Sequence, residues 1–187
     1  MRVVAGLRKG HPLQAVPGKD TRPTVDKVKE SLFSKIGPFF KGGLALDLYA
    51  GTGGLGIEAL SRGMDRCIFV DSNGKAIQVV KENLKSTRFQ EQAEVYRNDA
   101  NRALSVLCKR DVKFDLVFLD PPYARQTIES QIAIMDVNGI LSPEAIVVAE
   151  HDVNDVLADE IGDLRKQKEA TYGITTISIY TYDKGER

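Results

Sequence analysis

Tryptophan is absent from this 187-residue sequence, and only two cysteines and two histidines occur in it. Cys67 and Cys108 stand far apart without metal-ligand spacing, so they read as buried thiols and exclude a disulfide framework. His11 and His151 also lack a metal-ligand pattern nearby, so neither is expected to be catalytic and no metal is expected. Long apolar runs are missing as well. Stretches such as 145–149 fall far below the ~20 residues of a membrane span, and no membrane partner is expected. The chain starts Met1-Arg2-Val3-Val4-Ala5-Gly6 and reaches Arg8-Lys9 with no apolar signal region, which makes the cytoplasm the expected location. Repeats and low-complexity segments are lacking too.

Excess charge of either sign is missing from the total, with 26 Lys/Arg against 26 Asp/Glu. The distribution is uneven all the same. Residues 1–43 hold nine Lys/Arg against Asp20, Asp26 and Glu30, a balance of +6 that leaves −6 on residues 44–187. This split suits a basic N-terminal extension on a catalytic body, although Lys27, Lys29 and Lys35 would equally serve to solvate a helix face. With 42% hydrophobic and 28% charged residues, the composition is that of a globular protein, and the length suits one domain with a real core.

Local patterns give the architecture. Arg2–Gly6 and Leu13–Val16, separated by Gly10-His11-Pro12, read as a basic hairpin. Thr21-Arg22-Pro23-Thr24 reads as a helix start, with Val25, Val28, Leu32, Phe33 and Ile36 at helical spacing before Gly37-Pro38. From Leu44 strands alternate with helices, the pattern of a parallel sheet covered on both faces. Strands are expected at 44–48, 66–70, 93–97, 114–119, 145–149, 164–172 and 175–182. Helices are expected at about 55–62, 75–85, 100–110, 124–135 and 153–161. The expectation is a seven-stranded, mostly parallel α/β domain over 44–187, preceded by a hairpin and helix over 1–43.

In such a sheet, ligands sit beyond the carboxyl ends of the strands. Asp47 lies in the first strand, and the turn Gly51-Thr52-Gly53-Gly54-Leu55-Gly56 follows it. Glycines there let backbone approach a ligand. Asp71, at the end of the second strand, can accept hydrogen bonds from both ribose hydroxyls of an adenosine. This pairing fits a dinucleotide as well as any other adenosine cofactor. The fourth strand end discriminates: Asp120-Pro121-Pro122-Tyr123 offers a carboxylate, a rigid turn and an aromatic ring. The prolines fix backbone direction, so Asp120 and a carbonyl can both accept from one amino group while Tyr123 stacks on the ring that bears it. Two acceptors favour a tetrahedral nitrogen with its lone pair aimed at an incoming methyl, and positioning supplies much of the remaining acceleration.

These residues resemble the class I amino-methyltransferases in Asp47-Leu48-Tyr49-Ala50-Gly51-Thr52-Gly53, Val70-Asp71-Ser72-Asn73, Asn98-Asp99 and Asp120-Pro121-Pro122-Tyr123. More narrowly, Ala5-Gly6 with Lys9-Gly10, Thr21-Arg22-Pro23-Thr24 with Lys29-Glu30, and residues 56–63 resemble the RsmD family over nearly the whole chain. The resemblance implies a Rossmann-like class I methyltransferase fold, S-adenosylmethionine as cofactor, and methylation of the N2 amine of one guanine in small-subunit (16S) ribosomal RNA, free or within an assembly intermediate of the subunit. It implies that Asp47, Gly51 and Gly53 line the methionine part of the cofactor, Asp71 the ribose and Asp99 with Ala100 the adenine, with Ala50 and Ser72 completing that set. Asp99 would also serve as a helix N-cap. Asp120, Pro121, Pro122 and Tyr123 would hold the target base. Arg22, Pro23 and Thr24 would border the site, with Arg2, Arg8, Lys9 and Lys19 gripping RNA.

Residue types alone leave adenine N6 and cytosine N4 amines open, because each presents the same amino group to Asp120. Two other classes also stay open: a nicotinamide-dependent dehydrogenase, which would leave the Asp120 tetrapeptide unexplained, and a non-catalytic RNA-binding module, which would leave three strand-end carboxylates without a purpose.

Overall fold

The apolar runs of the first half fold much as their spacing predicts. The structure, a computed structural model, describes residues 1–18, 26–122 and 124–183, without the side chains of Ala124 and Gln126. The chain divides into two units, Met1–Ala100 and Asn101–Arg187.

In the first unit α1 spans Asp26–Ile36, β1 Leu44–Asp47, α2 Gly54–Ser61, β2 Arg66–Asp71, α3 Gly74–Thr87 and β3 Ala93–Arg97. The strands lie in the order β3-β2-β1, all parallel, with Asp47 opposite Phe69 and Asp71 opposite Arg97. Ala45, Leu46, Cys67, Ile68, Phe69 and Val70 are all buried, as uninterrupted apolar runs in a parallel sheet should be. Helix α3 starts where the Asn73 side chain accepts hydrogen bonds from the Lys75 and Ala76 N–H groups, and it buries Ala76, Ile77, Val79, Val80 and Leu84. Helix α2 packs so closely that a Cβ on Gly56 would lie 2.4 Å from Phe69 Cε1 and 2.9 Å from Cys67 Sγ. Only glycine fits there.

The N-terminal hairpin is reduced to one bridge, Arg2 opposite Pro12, supported by Val3 N–H to His11 O at 2.9 Å and Gly10 N–H to Val3 O at 2.8 Å. Val3, Leu13 and Val16 are buried, so this segment contributes to the core. It is held down by Leu7 N–H to Ser61 O at 2.8 Å and Gln14 N–H to Asn83 Oδ1 at 2.8 Å.

Helix α4 (Ala100–Leu107) begins where the two units meet in sequence. The second unit holds β4 (Phe114–Leu119), α5 (Ala124–Val137), β5 (Leu141–Asp152), β6 (Glu160–Ile161), β7 (Leu164–Tyr172) and β8 (Thr175–Tyr182). Its strand order is β4-β5-β8-β7-β6, with β4 and β5 parallel and the remaining pairs antiparallel. Eight strands therefore form where seven were expected, and the antiparallel pairs make the arrangement more mixed than mostly parallel. The additional strand, β6, lies in the stretch expected to be a helix over 153–161. Asp152 Oδ1 accepts the Asn154 N–H at 2.8 Å, a local turn that competes with helix initiation. The carbonyls that would have propagated the helix go elsewhere: Leu157 O accepts from Lys166 Nζ at 2.9 Å, Ala158 O from Tyr180 Oη at 2.6 Å, and Asp159 O from the Lys166 N–H at 2.8 Å. Among the described residues, no helix is long and apolar enough to cross a membrane.

Candidate active site

Asp71 organises the first unit's strand ends. Its Oδ2 accepts the Gly51 N–H at 2.9 Å and its Oδ1 the Asn73 N–H at 2.8 Å, while its backbone carbonyl accepts from Asn98 N–H at 3.1 Å. The carboxylate thus ties the turn after β1 to the start of α3, and the backbone carbonyl of the same residue holds the chain just after β3. Ala50 joins them through its N–H to Val70 O at 2.8 Å. The turn is tight, with Gly53 N–H reaching Ala50 O at 2.7 Å, and Gly51 and Gly53 sit at φ 55° and 81°, where a side chain would be strained. Asp47 is buried at the end of β1, and its Oδ2 accepts the Gly56 N–H in the first turn of α2 at 3.1 Å. A negative charge is favoured there by the helix dipole.

This arrangement fits an adenosine-bearing cofactor. Each Asp71 oxygen uses one lone pair on backbone and keeps another for a vicinal hydroxyl. A Cβ built on Gly51 meets no atom within 4 Å, which leaves room for a ligand against the turn. A cleft of about 670 Å³ is lined by Ser72, Asn73, Lys75 and Arg97 together with Val16 and Pro17. Asp99 is exposed immediately before Ala100, the first residue of α4.

In the second unit Asp120 follows the last residue of β4. Asp120, Pro121 and Pro122 line a pocket of about 180 Å³ together with Glu150, His151, Asp152, Asp155, Ile174 and Thr175. Asp120 is open to solvent, yet the surrounding protein removes enough water to push its pKa up to about 6. Burial pushes Glu150 further, to about 7, and the Asp120 charge adds to that shift. Nothing in the sequence Ala149-Glu150-His151 marks Glu150 as a site residue. Its significance comes from lying one residue beyond Ala149, the position paired with Leu119. His151 is buried, with Nε2 2.8 Å from Ser178 Oγ and Nδ1 3.1 Å from Asp152 O. It is a hydrogen-bonded core residue, as expected.

The basic N-terminal residues divide into distinct situations. Arg2 pairs with Asp26 at 3.1 Å on the surface. Arg8 donates to Thr87 O at 2.6 Å and stacks on the Phe89 ring, 5.4 Å from its centroid, so it anchors the segment to the end of α3. Lys9 is exposed. Lys19, Arg22, Thr24 and Tyr123 lie outside the described residues. Lys29, read as a possible surface lysine, is instead only 1% exposed. Its Nζ lies 3.3 Å from Glu58 Oε1 and donates to Arg2 O at 2.6 Å, while Arg62 Nε donates to Glu58 Oε2 at 2.7 Å. Glu58 also accepts the Val4 and Ala5 N–H groups at 2.8 and 3.1 Å. The presence of Glu and Arg at i, i+4 within 56–63 was the available signal for this buried cluster.

Known proteins share this fold and sequence. YlbH, a proposed rRNA methyltransferase of Bacillus subtilis, is 52% identical over 180 residues, covering 96% of this chain and 98% of the relative. Ribosomal RNA small subunit methyltransferase D of Haemophilus influenzae is 34% identical over 182 residues, covering 96% of this chain and 93% of that protein. The solved structure of yhhF, a proposed methyltransferase from Escherichia coli, superimposes with a TM-score of 0.82 at 30% identity, covering 98% of each chain. The fold is that of the class I methyltransferases. The family described as conserved hypothetical protein 95 matches residues 1–181. By that match the chain belongs to the conserved hypothetical protein 95 family, the RsmD family.

Proposed function

We propose that this chain transfers a methyl group from S-adenosylmethionine to the exocyclic N2 amine of a guanine in small-subunit ribosomal RNA. The observation that carries the reading is the Asp120-Pro121-Pro122 strand end opening on its own pocket, in a chain that shares 34% identity with a small-subunit rRNA methyltransferase across nearly its whole length. The cofactor supplies a methyl carried on a positively charged sulfur. Asp71 would hold its ribose, with Ser72 beside it, and Asp99 and Ala100 would border its adenine. Asp47, Ala50, Gly51 and Gly53 would shape the space for its methionine part.

Asp120 and a neighbouring backbone carbonyl would accept the two hydrogens of the target amine, and Tyr123 would stack on the base. An aromatic amine is a poor nucleophile because its lone pair is delocalised, so holding both hydrogens and fixing the line of attack is the contribution expected of the protein. This chemistry asks for no metal. Adenine and cytosine amines would be held in the same way, and guanine is chosen on the resemblance of the sequence motifs to the RsmD family alone, while the named relatives support ribosomal RNA of the small subunit. Arg2, Arg8, Lys9, Lys19, Arg22 and Thr24 belong to the proposed RNA-facing side, where a base must be unstacked before it can enter a pocket. Work on ribosomal RNA, as the naked molecule or an assembling subunit, would place the protein in the cytoplasm.

The reading is tested by Asp120→Ala, with calorimetric binding of S-adenosylmethionine and methyl transfer to unmodified small subunits measured together. Turnover should be lost while cofactor affinity is kept. A variant with near-normal turnover would remove Asp120 from the reaction.

A further inference from the structure

The two carboxylates of the second-unit pocket sit in step on neighbouring strands. Strands β4 and β5 run parallel, and their register pairs Leu119 with Ala149, so Asp120 and Glu150 are the next residues along each. Both line the same pocket of about 180 Å³, and no lysine or arginine lines it among the described residues. The other titratable groups facing it are Asp152 and His151 from β5 and Asp155 from the following turn. Of these, the His151 ring is engaged by Ser178 Oγ and Asp152 O. Asp120 and Glu150 both hold their protons above the usual carboxylate range, at about 6 and about 7, because burial disfavours their charges and the Asp120 charge further opposes that of Glu150.

We propose that Glu150 works through Asp120 as a second carboxylate at the methyl-acceptor end, holding negative charge behind the target amine and receiving, by way of Asp120, the proton that the methylated amine releases. The inference rests on the methyl-transfer reading above. The balance is simple. The amine nitrogen uses its lone pair to form the new N–C bond, and the electrons of the breaking C–S bond stay on sulfur. Positive charge therefore moves from sulfur to nitrogen until the nitrogen gives one N–H proton to an Asp120 oxygen. Glu150, whose proton affinity is slightly higher, can take that proton and return it to solvent through the open pocket. Two carboxylates also draw the developing positive charge better than one, and they repel each other least when that charge is present.

The test combines two measurements. Carbon-13 carboxyl resonances of Asp120 and Glu150 are titrated in the full chain without RNA, and single-turnover methyl transfer is measured against pH for the wild type and Glu150→Gln. Glu150 should titrate near 7 and move to lower pH in Asp120→Asn. The wild-type rate should rise through both ionisations, whereas Glu150→Gln should keep only the lower one and be roughly tenfold slower at pH 8. A Glu150 that titrates in the ordinary carboxylate range and ignores Asp120→Asn overturns the pair. Superimposable rate profiles for wild type and Glu150→Gln overturn its part in transfer. If the wild type methylates no guanine in the RNA, the functional reading fails and this role with it, while the titration still reports separately whether the pair exists.

Discussion

Replacing Glu58 with Gln should cost about 3 to 5 kcal/mol of folding stability, the range for removing one partner from a buried ion pair. Glu58 is fully buried and faces two cations, Lys29 and Arg62, whose side chains are 1% and 3% exposed. It also satisfies the Val4 and Ala5 N–H groups. Glutamine keeps one acceptor oxygen but turns an amino group toward donors, so it strands two buried positive charges and at least one backbone N–H. Against a typical domain stability of about 5 to 15 kcal/mol, that loss is large but leaves a folded population to measure. Lys29→Met is the comparison. It leaves Glu58 paired with Arg62 and both amides, and it removes a lysine whose charge is disfavoured chiefly by burial. Its cost should be less than half that of Glu58→Gln. Urea denaturation of the three proteins, followed by circular dichroism, gives both differences. A loss below about 1 kcal/mol for Glu58→Gln, or equal losses for the two variants, would refute the reasoning that Glu58 is the acceptor on which the cluster depends.

Asp71→Ala should weaken S-adenosylmethionine binding by about 1.5 to 3 kcal/mol through lost hydrogen bonds to a charged acceptor, and unchanged affinity by calorimetry would remove the ribose role. Glu150 has a folded pKa above its unfolded value, so ionising it costs stability: the fold is favoured below the unfolded value near 4.5, and that advantage is lost as pH rises through about 7. Glu150→Gln should therefore raise stability by on the order of 1 to 2 kcal/mol at pH 8, with no gain at pH 4.5, in paired thermal melts. Arg8→Ala should lower stability by about 1 to 3 kcal/mol, because it loses the Thr87 bond and the Phe89 stack. Exposed Lys9→Ala should instead spare stability and reduce the slope of log RNA affinity against log salt by about 0.7; a denaturation curve and a salt series distinguish the two.

Much of the fold was legible because its signals are local. Strands β3, β4, β7 and β8 occupy the spans expected of them, and the glycine turn announces the start of α2. The failed helix over 153–161 had helical spacing at Val153, Val156, Leu157 and Ile161. Its fate was settled by Lys166 and Tyr180, which lie elsewhere in the sequence and take its carbonyls. The candidate site was legible in the same local sense: Asp47, Asp71 and Asp120 all stand at strand ends that the pattern exposes. Glu150 and the Glu58 cluster were not, since each depends on contacts between distant segments. Glu150 acquires meaning only from the register of β4 on β5. Lys29 looks like any helix lysine until Arg2 O and Glu58 are seen around its ammonium group.

The central claim is tested most directly by incubating the protein with labelled S-adenosylmethionine and small ribosomal subunits that have never been methylated at the target, followed by digestion of the RNA to nucleosides and chromatography. The account predicts label in N2-methylguanosine, in about one residue per subunit, and none when Asp120 is replaced by Ala. Label in an adenine or cytosine derivative, or label in guanosine that persists in the Asp120 variant, would contradict it.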